Sequence, residues 1–144
     1  MADFSQLKQF DVSSDATASY SMGQIATGDF IPTLTVKPAS DANKLYFNAA
    51  LKGSAKNRRA LKGQITSALL DETRGEDIER YARFVVVGWK DVYDADGDAV
   101  PFDQQNVRDF LNAIPAWVFD DLRAFCAEPT NFVDLVDAED TAGN

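Results

Sequence analysis

No histidine occurs in the 144 residues, and Cys126 is the single cysteine. The first absence excludes imidazole ligands and every mechanism that runs through a histidine base; the second excludes an internal disulfide. Long apolar runs are also missing, since nothing approaches the ~18 consecutive apolar residues of a membrane span. Residues 1–10 contain neither a basic n-region nor an apolar h-region, so the expected location is the cytosol. What is present is aromatic: ten Phe, four Tyr and two Trp in a chain that is 45% hydrophobic. That composition suits one ordinary domain, and at about this length ~70% of the unfolded chain's surface is buried on folding.

Charge is unevenly spread. Residues 1–72 carry eight basic and seven acidic side chains, whereas residues 73–144 carry six and sixteen, for an overall net of −9. The only basic cluster is Lys52, Lys56, Arg58, Arg59 and Lys62, with no acid among them. Read functionally it is a phosphate-contacting patch. The acidic remainder repels nucleic acid, however, and no aromatic is interleaved for base stacking, so a solvated helix face or connector is the expectation. Residues 135–144, acidic and without an aromatic, read as a disordered tail.

Residues 1–29, rich in Ser, Thr and Ala, read as a flexible arm lying on the domain or on a partner. A single α-rich domain is expected over residues 30–134. Thr33-Leu34-Thr35-Val36-Lys37 alternates polar and apolar between Pro32 and Pro38, which suits an edge strand. Ser40 or Asp41 can cap a helix that Gly53 stops, and a second helix is expected over residues 57–70. Thr73 with Glu76 three residues on reads as a capping box. Ile78, Tyr81, Ala82, Val85 and Trp89 then make one apolar stripe. The run Phe84-Val85-Val86-Val87-Gly88-Trp89 is apolar all round and fits a buried helix end or a short buried strand; the continuous stripe favours helix as far as Gly88.

Val92-Tyr93 and Ala99-Val100 flank Asp94-Ala95-Asp96-Gly97-Asp98, which predicts a small hairpin near residues 90–102. Asp103 can cap the next helix, and Pro115 both ends that helix and opens another whose stripe is Val118, Leu122, Phe125 and Cys126. The fold class is therefore mainly α (α+β): a helical domain with a short N-terminal strand and one hairpin. Its expected core includes Trp89, Val92, Phe102, Phe110, Leu111, Leu122 and Phe125. Phe132 can fold back as an anchor, as can Leu135.

Chemistry finds little support. Asp94, Asp96, Gly97 and Asp103 approach a calcium-loop spacing, but Val92 stands at its first position and Pro101 at its tenth. Asp120 and Asp121 are adjacent, so on a helix they point to different sides. No Ser-x-x-Lys, Gly-x-Ser-x-Gly or phosphate-loop pattern occurs. Cys126 lies on an apolar stripe and reads as an inert buried thiol. An enzyme, a cofactor and a metal site are not expected. Trp117 lies off the stripe of its own helix, so either a neighbouring element covers it or it anchors a partner protein.

Gly88-Trp89-Lys90-Asp91-Val92, Asp96-Gly97, Val100-Pro101-Phe102, Phe110-Leu111, Ile114-Pro115 and Asn131-Phe132 together resemble the tail assembly chaperones of long-tailed bacteriophages. Leu34-Thr35-Val36-Lys37-Pro38-Ala39-Ser40, Asn43 and Tyr46 fit the same pattern, so the resemblance spans about residues 30–134. It implies a small, largely helical, non-enzymatic protein of the host cytoplasm that keeps the tape measure protein soluble and helps recruit tail tube protein, with homo-oligomers as a further partner state. Trp117, Phe119 and Phe132 are the aromatics expected at the partner surface. The rival readings are a permanent tail or neck component of the virion and a nucleic-acid-binding accessory protein.

Overall fold

The computed structural model describes residues 4–25, 28–60 and 67–133, with side chains of 54–60 left aside. Three short strands, β1 (Ala18–Ser21), β2 (Thr33–Val36) and β3 (Val86–Lys90), form an antiparallel sheet in the order β1-β2-β3. Four helices, α1 (Lys44–Ala60), α2 (Ser67–Phe84), α3 (Gln104–Ala113) and α4 (Ala116–Ala127), supply most of the structure. Short 3-10 helices lie at Phe4–Phe10, Gly23–Ile25 and Pro129–Asn131. The class is mainly helical α+β.

The sheet closes on the helices through one face. Tyr20 pairs with Leu34 and Leu34 with Trp89, so these three side chains form one row across the strands. Leu34 and Val36 are wholly buried, as the alternation in β2 requires. They meet Tyr81, Val85, Val107, Leu111, Val118, Phe119, Leu122 and Cys126, a continuous core drawn from α2, α3, α4 and the residue that follows α2. Phe110, Phe125 and Trp89 are partly buried against it, and Val92 is buried nearby.

β2 is the central strand, not an edge. Pro32 and Pro38 fall just outside it, so neither removes a ladder hydrogen bond. The segment read as an arm contributes β1, with Tyr20 and Met22 in the core.

Helix boundaries depart from the sequence signals for identifiable reasons. The cap of α1 is Asn43, whose side-chain oxygen accepts from the Tyr46 N–H at 3.4 Å, rather than Ser40 or Asp41. Gly53 does not stop α1; a Cβ there would lie 2.8 Å from Nη1 of Arg80, so the glycine lets the α2 guanidinium cross close to the α1 backbone. Thr73 is inside α2, its hydroxyl donating back to the Leu69 carbonyl at 2.6 Å.

α2 ends at Phe84 and the valine run becomes β3, correcting the expectation of helix to Gly88. Asn43 Nδ2 takes the Phe84 carbonyl at 2.9 Å and the Lys37 N–H takes that of Val85 at 2.8 Å. With those acceptors engaged from afar, the β-branched residues extend along β2. Asp91 leaves the strand at φ 60°, a conformation Asp tolerates better than most residues.

The hairpin is present in reduced form, as one bridge between Tyr93 and Ala99. Gly97 holds φ 83° in its turn, and the Asp94 carboxylate accepts from the N–H groups of Asp96 and Asp98. Asp103 caps α3 by accepting from the Asn106 N–H at 2.7 Å.

Candidate functional site

Between α2 and α4 lies a cleft of about 540 Å³ with Tyr46, Leu70 and Ala124 among its walls. Four charged side chains, Arg74, Asp77, Asp120 and Arg123, line it as well. Asp77 is buried on α2 and accepts from Arg80 Nε at 3.1 Å, Arg123 Nε at 3.0 Å and the Tyr46 hydroxyl at 3.2 Å. Arg74 makes a two-bond fork to Asp120, at 3.1 and 3.0 Å, and Arg123 reaches the same carboxylate at 3.1 Å.

These pairings decide what the cleft can do. Each carboxylate is held by at least one guanidinium, so its oxygens are already engaged by fixed donors. The Asp120 carboxyl lies below its ordinary range, chiefly through its hydrogen bond from Arg74. Burial, then the Asp77 charge, pushes the Tyr46 phenol up to about 12. Cys126, on the buried face of α4, is pushed up to about 12 by burial, so its thiolate is scarce at neutral pH. The cleft is cross-braced: its arginines and aspartates are paired with one another across α2 and α4.

A second brace joins α3 to α2, where Arg108 Nη2 donates to Glu79 at 2.8 Å. Arg108 holds the Glu79 carboxyl below its usual range, first by that hydrogen bond and then by its charge. A depressed folded value means that the pair's contribution is full above the ordinary carboxylate range and disappears as pH falls through the folded value. The melting difference between wild type and Glu79→Gln is therefore expected in full at pH 6 and should shrink as the solution is made more acid than the ordinary carboxylate range. The Glu79 side chain is 45% exposed, so added salt should shrink that difference. A gap that persists unchanged in acid would contradict the assignment.

The residues expected at a partner surface separate into two groups. Trp117 is 59% exposed on the outer side of α4. Phe119 is fully buried and stacks edge-on against Tyr81 at 5.3 Å, because it follows Val118 onto the inner face where α4 meets α2. Phe132 is also buried, folded back by the 3-10 helix Pro129–Asn131 onto Phe125 at 6.2 Å. Both belong to the core, not to a surface.

Among the expected core residues, Trp89 donates Nε1–H to the Val100 carbonyl at 3.0 Å and stacks with Phe102 and Phe110. Phe102 departs from expectation: 43% of it is exposed, although its ring packs edge-on against Trp89 at 5.5 Å. Leu135 and the acidic segment 135–144 lie outside the described residues, as do Lys62 and the side chains of Lys56, Arg58 and Arg59. Lys52 is exposed on α1.

The three carboxylates of the 94–98 turn do not converge. Asp94 is occupied by backbone donors, and among the described residues no group of three or more acidic or thiol side chains is placed to hold a metal ion. Sequence reasoning passed over Asp77, although the Asp77/Arg80 spacing of three on a helix signals an ion pair. It also passed over the exposed Phe30, Leu70 and Tyr93, which no periodic pattern marks.

Residues 42–144 match the family described as YdaY prophage protein, a span that contains all four α-helices, β3 and Trp117. The chain belongs to the YdaY prophage protein family. Its origin is thus a bacteriophage. No curated protein and no solved structure matches it significantly. β1 and β2 precede the matched span, so the family match takes in the cross-braced helices but only one strand of the sheet. Among the described residues of this YdaY family member, no helix is long and apolar enough to cross a membrane.

Proposed function

We propose that this protein is a phage tail assembly chaperone, which binds the tape measure protein, keeps it soluble and helps recruit tail tube subunits in the host cytoplasm, without catalysing a reaction. The prophage family is compatible with that role, and the resemblance carried by residues 30–134 favours it. The observation that carries the reading is Trp117. Its helix is anchored by Val118, Phe119, Leu122 and Cys126, all essentially inaccessible, while the indole itself stands 59% exposed.

A rigid helix presenting a large aromatic costs little ordering entropy on binding, which is the property of an interface anchor. The surrounding acidity, from a net charge of −9, would keep a complex with an apolar client in solution. The ion pairs of the α2–α4 cleft fit a scaffold role, since they lock the helix that carries Trp117.

Coexpression with the tape measure protein of the same phage tests the proposal. The soluble fraction of that protein should rise with this chain present. Trp117→Ala should abolish most of the gain while leaving stability within about 0.5 kcal/mol of wild type, as expected for an exposed site. Unchanged client solubility with the wild-type chain would refute the function. A large loss of melting temperature in Trp117→Ala would make the indole structural.

A further inference from the structure

Ser21 pairs with Thr33 and Thr33 with Lys90, so the chain just before β2 and the chain just after β3 arrive side by side at one end of the sheet. There Ile25, Phe30, Pro32 and Tyr93 help to line a hollow of about 240 Å³. The Phe30 and Tyr93 rings have centroids 5.2 Å apart, and each ring is about half exposed. Ile31 beside them is 42% exposed and extends the apolar rim.

The charge around these rings is of one sign. Asp29, Asp91 and Asp94 line the hollow and no basic residue does. None of the ion pairs among the described residues involves any of the three. Asp94 engages the N–H groups of Asp96 and Asp98 through Oδ1 alone. The Tyr93 hydroxyl reaches Asp91 only at 3.5 Å, beyond the ~2.5–3.0 Å of an ordinary O–H···O bond. Lys90, the neighbour of Asp91, is exposed and is not one of the lining residues. Aromatic walls and uncompensated negative charge therefore share one small space.

That combination selects the occupant. Among the described residues no three acidic groups are placed to hold a metal ion, so the carboxylates suit a cation whose charge is spread out. Small-molecule sites usually run to ~300–1,000 Å³. A hollow of about 240 Å³ suits one side chain of a partner better than a whole cofactor. Of the cationic side chains, arginine is the one whose planar guanidinium both stacks on aromatic faces and pairs with carboxylates.

We propose that the Phe30/Tyr93 hollow receives a single arginine side chain of a partner protein, with an apolar residue of the partner next to that arginine covering Ile31. Complementary charge sets the orientation of the contact and the rings supply its apolar area. No lining residue comes from α4, so the site is separate from Trp117 and does not depend on the tape measure reading.

Nuclear magnetic resonance titration of the full chain with the blocked tripeptide acetyl-Leu-Arg-Leu-amide tests this. Saturable shifts should appear at the ring protons of Phe30 and Tyr93. The same peptide with citrulline, the neutral counterpart of arginine, should bind at least about fivefold more weakly. Phe30→Ser/Tyr93→Ser, which keeps every carboxylate, and Asp29→Asn/Asp91→Asn, which keeps both rings, should each weaken arginine binding about fivefold. Unchanged thermal melting would show that the variants fold, and the second pair retains the turn made by Asp94. Absence of saturable binding, shifts centred elsewhere on the protein, or equal binding of the citrulline peptide would overturn the proposal. So would wild-type affinity in the ring variant, which would reduce the effect to general attraction by an acidic protein, and so would tighter binding of acetyl-Leu-Lys-Leu-amide.

Discussion

Replacing Phe119 with alanine should lower stability by about 3–5 kcal/mol, the range for emptying an aromatic site in a packed core. The ring is wholly inaccessible, stacks edge-on against Tyr81, and receives the Arg123 guanidinium over its face at 5.6 Å. Its loss therefore removes burial, an aromatic pair and the apolar backing of an ion-pair residue together. For a domain of this size the melting temperature should fall by about 10–15 °C. Phe119→Leu, which retains most of the volume, should cost about 1–2 kcal/mol. Thermal denaturation of both variants checks the order; a Phe119→Ala protein that melts with wild type would put the ring back on the surface where sequence reasoning placed it.

That misplacement shows what the sequence holds and what it does not. The stripe Val118, Leu122, Cys126 was legible because those positions recur at helical spacing, and α4 buries all three. Phe119 sits one step round the helix from Val118 and is buried only because α2 approaches from that side, which is a fact about tertiary packing. Asp103 and Gly97 were legible for a different reason: a side chain bonding three residues on, or a backbone needing positive φ, is local chemistry.

Gly53, Thr73 and the valine run misled because local signals there compete with distant partners. A glycine that ends many helices here accommodates Arg80, and a plausible cap is overtaken by a helix beginning six residues earlier. Val86, Val87 and Gly88 extend because β2 offers an open ladder and Asn43 and Lys37 claim the carbonyls where α2 stops. For the candidate surface, Trp117 could be placed off its stripe from periodicity alone. The Phe30/Tyr93 hollow could not, since it joins residues from two loops distant in sequence.

The second large effect is expected at Asp77, whose carboxylate is the centre of the α2–α4 brace. Its side chain is 8% exposed, while those of Arg80 and Arg123 are 16% and 35% exposed. Asp77→Ala leaves two guanidinium groups and the Tyr46 hydroxyl without their shared acceptor, and removing one member of a buried charged cluster typically costs about 3–5 kcal/mol. The lower end applies, at about 3 kcal/mol, because Arg123 is open enough to turn toward water and retains Asp120 at 3.1 Å. Asp77→Asn keeps the shape and one acceptor oxygen but not the charge, so it should cost less than Asp77→Ala. The loss should also reach beyond stability: Arg123 ties α4 to α2, and α4 presents Trp117, so a loosened brace should weaken client solubilisation more than Asp77→Asn does. Denaturant titrations of the two variants alongside the coexpression assay check both statements. Equal stability of Asp77→Ala and wild type would show that the cluster contributes nothing net to the fold.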